Sequence, residues 1–491
     1  MKRIIAAFAA FTVTLSVALP AYAAGVNVPY EAYNYDYREN IVMTPPPYIP
    51  DGSVSGATLG IDSFNKARDL TVADDGLVYV ADTGNNRVVV LSKDMRSVVE
   101  ILTTFDNNGA EDTFKAPSSV AISEKNQVYI ADSENRRVVV LDTDRKTLVK
   151  IVENPQSEVL PADFVFVPIR ITVDYADRIY VIAQNMFQGI MVFEPEGNFS
   201  GFFGTINVTI SLWQKFWRAI ATKAERSNSS LFVPTEFTGL AVDPNGFVYA
   251  SNMDPQGEKA VRRLNPKGED VALQGDNKNT GGDVQNSIRG VYAGVSRIVD
   301  VAYQGNGIYS LLDSQRGRVF TYDREGNLLY IFGGLGSQAG AFRTPTAIER
   351  SGDRIMVLDL VRNEIVLFKA TKYGALINEA VALRFSGDEV KAVEKWQEVL
   401  LLNENFELAN VGIGKAYLTA GENELAMKYL KLGMNRTYYS IAFKRYRNEI
   451  LKQNLGGILT VAAVIIAGWF IISRVRRRLK GGYVETEGGM E

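Results

Sequence analysis

The stretch VYVADTGNNRVVVL, from Val78 to Leu91, returns as VYIADSENRRVVVL from Val128 to Leu141. In each copy a polar turn separates two runs rich in β-branched and aromatic residues, a pattern typical of adjacent antiparallel strands. Weaker copies begin at Ile179, Phe247, Ile308 and Ile355, which brings the number of copies to six. The chain is therefore built from a repeated unit, and the repeat indicates the fold before any single residue does.

A third apolar run precedes each pair of strands. These runs are DLTVAD at Asp69, SVAIS at Ser119, RITVD at Arg170, GLAVD at Gly239, IVDVAY at Ile298 and TAIER at Thr346. Four-stranded units in sixfold succession predict a mainly β fold, a six-bladed β-propeller around a channel, which we assign to residues 55–370. We expect the segment from Ala57 to Asp62 to add the outermost strand of the last blade, closing the ring and removing an exposed edge.

The composition excludes several classes of function. The chain has 491 residues, 46% of them apolar, which indicates more than one domain. A net charge of −3 provides no basic field for nucleic acid, so we expect no nucleic-acid partner. The absence of cysteine and histidine excludes disulfides, zinc sites built on those residues, thiol nucleophiles and imidazole triads. We therefore assign no catalytic residue, no metal ligand and no cofactor.

Two apolar segments predict export and membrane anchoring. Residues 1–23 have basic residues, an apolar run and Ala21-Tyr22-Ala23, as a cleavable signal peptide does, although an uncleaved N-terminal anchor remains an alternative. Residues 455–473 carry no charge and are long enough to cross a bilayer. Five basic residues follow them, against Arg447 and Lys452 shortly before, which predicts a cytoplasmic tail at 474–491. The predicted location is the cell membrane, single-pass, with the N-terminal ectodomain outside and the C-terminus cytoplasmic.

Two further segments flank the predicted propeller. Residues 24–54 are rich in tyrosine and proline, so we expect an ordered arm on the propeller, with a disordered linker as the alternative. Within residues 371–454, Ala382, Gly387 and Ala392 recur 34 residues later as alanine, glycine and alanine. This period resembles tetratricopeptide repeats. A third helix, from about Tyr439 to Asn454, is expected to cap the pair.

The repeated propeller sequence resembles the NHL repeat family. The resemblance rests on the D-x-x-x-x-R turns, on the D-x-x-G-N turn at Asp323 and on the F-x-x-P sequences at Phe114 and Phe342. The turns pair Asp82 with Arg87, Asp132 with Arg137 and Asp313 with Arg318. We interpret these pairs as structural, because an aspartate at a strand end can hold a turn and an arginine can bridge blades. Blades three and four depart from the motif, with Gln184 and Asn252 in place of the aspartate. The resemblance implies a six-bladed propeller used mainly for binding.

Long insertions predict a binding rim on one face. The segments Thr205–Leu231, Asp254–Lys259 and Glu269–Ser296 all lie on the face that carries the turns between the second and third strands. The first insertion contains an apolar pattern with helical spacing that includes Trp213 and Trp217, whereas Arg218 faces elsewhere. These three residues are candidate binding residues. The helix either packs on the propeller or contacts a partner or the membrane headgroups.

Alignment of the blades also provides candidate channel residues. They are Asp69, Arg170, Asn185, Asn252 and Asp300. Six-bladed relatives include lactonases whose ion is held in the channel by oxygen ligands, so such a hydrolase is one alternative. Ubiquitin-ligase roles of some NHL proteins require a zinc-binding RING domain, which a chain without cysteine cannot form.

The layout resembles surface NHL proteins of Gram-positive bacteria that are encoded near carbohydrate ABC transporters. We expect a membrane-anchored extracellular binding or scaffold protein that uses propeller loops and tetratricopeptide-like helices to bind protein partners in a transport or envelope complex. A carbohydrate-binding surface receptor is the first alternative, and a metal-dependent hydrolase in the channel is the second.

Overall fold

The structure is a computed structural model that describes residues 28–160, 163–204, 236–254, 259–273, 281–283 and 294–481. The chain forms two compact units, Met1–Ala375 and Leu376–Glu491. The first unit is mainly β and the second is helical. The predicted signal peptide lies outside the described residues.

The described part of the N-terminal arm begins at residue 28 and ends in a strand of the propeller. Strands β1 (Tyr33–Tyr35) and β2 (Ile41–Met43) form a short antiparallel pair. Strand β3 (Tyr48–Ser55) follows, and then the single-turn helix α1 (Gly56–Leu59), which Ser55 caps through its side chain.

The described strands of the first three blades follow in chain order. Blade one contains β4 (Asp69–Val72), β5 (Val78–Asp82), β6 (Arg87–Leu91) and β7 (Val98–Leu102). A separate hairpin follows, made of β8 (Thr104–Asn107) and β9 (Ala110–Thr113). Blade two contains β10 (Pro117–Ile122), β11 (Val128–Asp132), β12 (Arg137–Leu141) and β13 (Leu148–Val152). Blade three contains β14 (Pro168–Val173), β15 (Ile179–Ala183), β16 (Ile190–Phe193) and β17 (Phe199–Phe203).

The remaining blades complete the sixfold ring, as the repeat predicted. Blade four has three described strands, β18 (Phe237–Val242), β19 (Val248–Asn252) and β20 (Val261–Leu264). Blade five contains β21 (Ile298–Gly305), β22 (Ile308–Asp313), β23 (Arg318–Tyr322) and β24 (Leu328–Phe332). Blade six contains β25 (Pro345–Ser351), β26 (Arg354–Asp359) and β27 (Glu364–Ala370), and β3 is its fourth strand. The six-bladed propeller predicted from the sequence is confirmed.

The closing strand of the ring differs from the prediction. Strand β3 pairs antiparallel with β27, with Val54 opposite Ile365 and Pro50 opposite Phe368. The segment Ala57–Asp62, expected to supply this strand, instead forms helix α1 and the loop after it. An outermost strand tolerates proline because one of its edges forms no ladder, which is why YIPDGSVS can occupy this position.

Apolar side chains from adjacent blades pack face to face and form the core. Val80 and Val89 of blade one share a cluster with Met356 and Leu358 of blade six, for example. Similar clusters lie between blades one and two, two and three, three and four, and four and five. The two strands in the middle of a blade are covered on both faces, so they consist almost entirely of apolar residues.

The helical unit contains two hairpins and one long helix. Its helices are α2 (Lys372–Phe385), α3 (Glu389–Leu402), α4 (Glu407–Ala420), α5 (Asn423–Leu432) and α6 (Arg436–Gly481). Gly387 and Gly421, 34 positions apart, take the left-handed backbone conformation at the two hairpin turns, with φ of 89° and 84°. Trp396 and Leu430 are both buried, as are the alanines four residues before them.

Helix α6 joins two segments that the sequence suggested were separate. The expected capping helix, Tyr439–Asn454, and the expected span, 455–473, lie within one continuous helix. No proline interrupts it, and a Cβ added at Gly456 or Gly457 would meet no atom within 4 Å. The described part of the chain contains this one helix long and apolar enough to cross a membrane.

Candidate functional site in the propeller channel

One residue from the innermost strand of each blade occupies the same register position beside the channel. In chain order these residues are Asp69, Ser119, Arg170, Gly239, Asp300 and Ala347. In blades two to six a break in the register immediately precedes this position. Charged residues therefore occupy blades one, three and five, and small residues occupy blades two, four and six. The small residues leave room in the channel for the three charged side chains.

The Arg170 guanidinium connects blade three with blades one, four and six. Its Nη1 lies 2.5 Å from Oδ1 of Asp69. Its Nη2 donates a hydrogen bond of 2.8 Å to the carbonyl oxygen of Thr346, and its Nε donates one of 3.3 Å to that of Thr238. Burial disfavours the charged guanidinium, but the carboxylates of Asp69 and Asp300 outweigh that effect and raise the pKa of Arg170. Arg170 is thus a permanent positive charge within the channel.

Blade two completes the network through Asp69. The Ser119 hydroxyl donates to Oδ2 of Asp69, and the backbone N–H of Val120 donates to the same oxygen at 3.2 Å. Ser119 Oγ in turn accepts a hydrogen bond of 3.1 Å from the N–H of Ile171. Burial raises the pKa of Asp69, whereas the nearby Arg170 and these hydrogen bonds lower it.

Asp300 reaches the network because blade four carries a glycine at this position. A Cβ on Gly239 would lie 2.4 Å from Oδ1 of Asp300 and 2.6 Å from its Cα. Oδ2 of Asp300 accepts a hydrogen bond of 2.8 Å from the N–H of Ile348. Burial raises the pKa of Asp300 to about 7, Arg170 opposes the rise, and Asp69 adds to it. Asp300 therefore titrates near neutrality.

Glu349 is a fourth ionisable group of the channel that the sequence comparison of blades missed. It lies two residues beyond Ala347 on β25, so its side chain points to the same side of the strand. Desolvation raises its pKa to about 8, and the carboxylates of Asp300 and Asp69 contribute to the rise. The alternation of inward-facing positions along β25 is the signal that could have identified it.

These groups line a cavity of about 390 Å³. Its wall extends from Asp69, Arg170 and Asp300 toward the turns between the first and second strands, where Asp74 and Asp243 lie. Its charged lining residues are mostly acidic, and Arg170 provides the positive charge opposite them. The arrangement suits binding of a polar ligand at the mouth, and the guanidinium fills the space between Asp69 and Asp300 where a cation would bind. No cluster of three or more acidic residues arranged to hold a metal ion occurs among the described residues.

The other two predicted channel residues lie elsewhere. Asn185 is exposed, in the turn after β15, with a left-handed φ of 60°. Asn252 is buried at the end of β19, where its amide donates a hydrogen bond of 2.8 Å to the carbonyl of Lys259. The register also shows that Ala183, and not Gln184, takes the place of the turn aspartate in blade three. The structure thus brings Asp69, Arg170 and Asp300 together, whereas Asn185 lies in a turn and Asn252 at the end of β19.

The turn pairs differ among the blades. Arg87 Nε donates to Asp82 at 2.7 Å, and Arg137 Nε donates to Asp132 at 2.9 Å. Asp82 and Asp132 also accept backbone N–H groups of the loop that enters their own blade. Arg137 extends further, with two hydrogen bonds to Asp112 that lower the pKa of that carboxyl to about 2.

In blade five the aspartate and the arginine of the turn have other partners than each other. Asp313 is 3.6 Å from Arg316, not paired with Arg318. Arg318 instead donates to the carbonyl oxygens of Glu31 and Gly333, and its guanidinium lies 5.1 Å from the centre of the Tyr33 ring. The arginine of this turn therefore holds the N-terminal arm.

A second contact fixes the arm to the same blade. The hydroxyls of Tyr33 and Tyr35 both donate to the carboxylate of Asp283, which also lies 3.1 Å from Nε of Arg316. Asp283 falls within the third predicted insertion. Most of the insertions lie outside the described residues, and so do Trp213, Trp217 and Arg218.

Comparison with known proteins gives a family match over part of the chain. The NHL repeat matches residues 64–91 and 114–141, which cover the first two copies of the quoted motif. No curated protein matches the chain.

Solved structures align with the chain at low sequence identity. Virginiamycin B lyase from Staphylococcus aureus is 10% identical over 66% of this chain and 100% of its own, with a TM-score of 0.40. Hydrazine synthase from Kuenenia stuttgartiensis is 11% identical over 63% and 96%, with a TM-score of 0.39. A protein of unknown function from Bacteroides thetaiotaomicron is 14% identical over 68% and 78%, with a TM-score of 0.42. Likeness at this level transfers no activity. The chain is a six-bladed β-propeller containing NHL repeats, with a C-terminal helical region that includes one long apolar helix.

Proposed function

We propose that the protein is a membrane-anchored extracellular scaffold whose propeller and helical hairpins bind protein partners. The exposed apolar surface of α6 is the observation that carries this proposal. Eleven large apolar residues between Leu455 and Ile472 are each 48–69% exposed. Leaving this surface in water would cost on the order of 10–20 kcal/mol, comparable with the whole stability of a domain, so it requires an apolar medium. A bilayer provides one along the length of the segment.

The orientation is supported mainly by the N-terminal sequence. A signal peptide at residues 1–23 would export the propeller and leave α6 to stop transfer. The charges flanking the span agree but discriminate weakly. Five basic residues follow the span, and four precede it, because Lys444 and Arg445 add to Arg447 and Lys452.

The channel geometry favours binding over hydrolysis. A channel-centred metal would need several oxygen ligands directed at one point. Here the Arg170 guanidinium contacts Asp69 and raises the electrostatic cost of bringing a cation near Asp300. The two hairpins of the helical unit repeat at 34 residues with left-handed glycines at matching turns, which supports a tetratricopeptide-like module for protein contacts.

A topology experiment tests the anchoring. Because the chain has no cysteine, single-cysteine variants can be labelled without background. A maleimide that cannot cross membranes should label Arg96→Cys, at a side chain that is 85% exposed, in intact cells. It should label Thr486→Cys only after the cells are lysed. Labelling of Thr486→Cys in intact cells would refute the orientation, and recovery of the protein in the soluble fraction would refute the anchor.

The finer role we propose is that of an accessory in a carbohydrate transport or envelope complex. Crosslinking in intact cells, followed by purification and mass spectrometry, should recover permease or envelope proteins with the full-length chain. Binding of the full-length chain to a glycan array without recovered protein partners would favour a carbohydrate receptor instead.

A further inference from the structure

The opposite mouth of the propeller contains a second cavity, of about 680 Å³, lined by blades one to three. Four of its lining residues are basic, namely Lys66, Arg68, Lys115 and Arg136. The acidic residue among its described lining is Glu134, whose carboxylate lies 3.3 Å from Nζ of Lys115. The cavity therefore carries an excess of three positive charges, although the chain as a whole has a net charge of −3.

The two cavities give the propeller opposite charges at its two ends. The basic cavity lies where the chain enters each blade and turns from the second to the third strand, whereas the acidic cavity lies toward the other turns. An anion is repelled by the carboxylates of one end and attracted to the other, because low-dielectric walls focus the field of clustered charges. The polarity thus selects both the charge of a ligand and the face on which it binds.

Three of the four cations have no ion-pair partner within the described residues. The side chains of Lys66, Arg68 and Arg136 form no salt bridge there, whereas Arg87 and Arg137, in the same turns, are both paired. Unpaired cations grouped around one concavity repel each other, so their positions are stabilised when an anion binds between them.

The backbone at Arg136 is also unfavourable for a long side chain. Its φ is 60°, in the left-handed region, and the equivalent residue of blade one is Asn86, with φ 53°. Asparagine adopts this conformation more readily than arginine does. The turn geometry is therefore a property of the repeat, and arginine occupies it in blade two at a local energetic cost.

The rest of the lining provides neutral hydrogen-bonding groups and apolar walls. Gln184 adds an exposed amide, whereas the buried hydroxyls of Ser118 and Ser133 hydrogen-bond to each other at 2.6 Å and to the carbonyl oxygen of Pro168. Val167 and Ile169 form an apolar wall. A cavity of this volume matches a compact small molecule. We propose that it binds a small polyanion that carries several carboxylate or phosphate groups. This proposal does not depend on membrane anchoring.

The test measures binding of two small probes to the full-length protein in detergent micelles. Inorganic pyrophosphate and citrate are titrated calorimetrically at low and at moderate salt, with spermidine as a cation of similar size. The test variant combines Arg68→Ser with Arg136→Asn. The equivalent position to Arg68 in blade two is Ser118, and the equivalent position to Arg136 in blade one is Asn86. The matched control combines Lys93→Gln with Arg96→Gln, which removes the same charge from an exposed turn on the other face.

We expect at least one of the two anions to bind the wild type and the control with equal affinity, and spermidine not to bind this cavity. The double variant should bind the anion at least about tenfold more weakly, and its melting temperature should match that of the control. Binding of pyrophosphate alone identifies phosphate as the ligand group, and binding of citrate alone identifies carboxylate. Failure of both probes, or equal affinity of the double variant, would overturn the proposal.

Discussion

Replacing Arg170 by methionine should destabilise the propeller in a way that depends on pH. The substitution retains a long side chain but removes the ion pair with Asp69 and the hydrogen bonds to Thr238 and Thr346. Removing one partner of a buried ion pair typically lowers the free energy of unfolding by about 3–5 kcal/mol, because the remaining charge stays desolvated. We therefore expect a loss of about 4 kcal/mol in the free energy of unfolding at pH 8.

The loss should be smaller at pH 5. The pKa of Asp300 is raised to about 7 in the folded protein, so this carboxyl binds more protons folded than unfolded between about pH 4 and pH 7. Its contribution to stability is therefore present at low pH and is lost as pH rises through that window. Removing Arg170 raises the pKa of both channel aspartates further. At pH 5 Asp300 is already largely protonated, and the expected loss falls to about 2 kcal/mol.

The assay is urea denaturation of the full-length protein in detergent at both pH values, followed by far-ultraviolet circular dichroism. Arg354→Met is the matched control, because its partner Asp51 keeps a second contact with Lys369 at 3.0 Å. This half-buried pair, whose aspartate keeps its contact with Lys369, should contribute about 1 kcal/mol or less. An equal loss at pH 5 and pH 8, or a loss no larger than that of the control, would refute the account of the channel.

Three further predictions concern the channel and the ring. In denaturant titrations, Gly239→Ala should lower the free energy of unfolding by about 3 kcal/mol, because the added Cβ would overlap Asp300. Gly457→Ala in α6 should change the free energy of unfolding little, because a Cβ there meets no atom. Equal effects of the two substitutions would contradict the close approach of Gly239 to Asp300. A chain that begins at Gly56 lacks β3 and exposes the edge of β27, so it should aggregate in size-exclusion chromatography. A chain that begins at Tyr48 keeps β3 and should contain more monomer. A monomeric chain that begins at Gly56 would argue against closure of the ring by β3. Saturating Ca²⁺ should leave the melting temperature of the wild type unchanged, because the Arg170 guanidinium already occupies the position beside Asp69. A rise in the melting temperature that Asp300→Asn abolishes would indicate a metal site in the channel.

The repeat made the ring predictable, but its closure depended on contacts distant in sequence. Local alternation and turn residues specify each blade, so six copies of one pattern were sufficient to predict six sheets. Strand β3 contains a proline and three polar residues in eight, and its assignment depends on pairing with β27 at the far end of the propeller. A pattern within YIPDGSVS alone does not distinguish a strand from an extended arm.

The channel was predictable only where the blades align without a gap. Asp69, Arg170 and Asp300 share one register position, so comparison of the copies identified them. In blade three Ala183 takes the aspartate position, so an alignment that places Gln184 there is displaced by one residue, and Asn185 lies in the turn after β15. Glu349 was missed because comparing one position per blade disregards the next inward-facing residue. The contacts of Asp283 with Tyr33 and Tyr35 join residues about 250 positions apart, which no local pattern indicates.

The use of β3 as the fourth strand of blade six also sets an order of events during synthesis. A ribosome releases residues 48–55 early, and their partner β27 emerges only after roughly 300 further residues. Until then the nascent N-terminus has no sheet to join, so the last blade is completed after all the others have been made. The ring is thus closed in a final, late step, so the pairing of β3 with β27 can form only when all six blades have been synthesised.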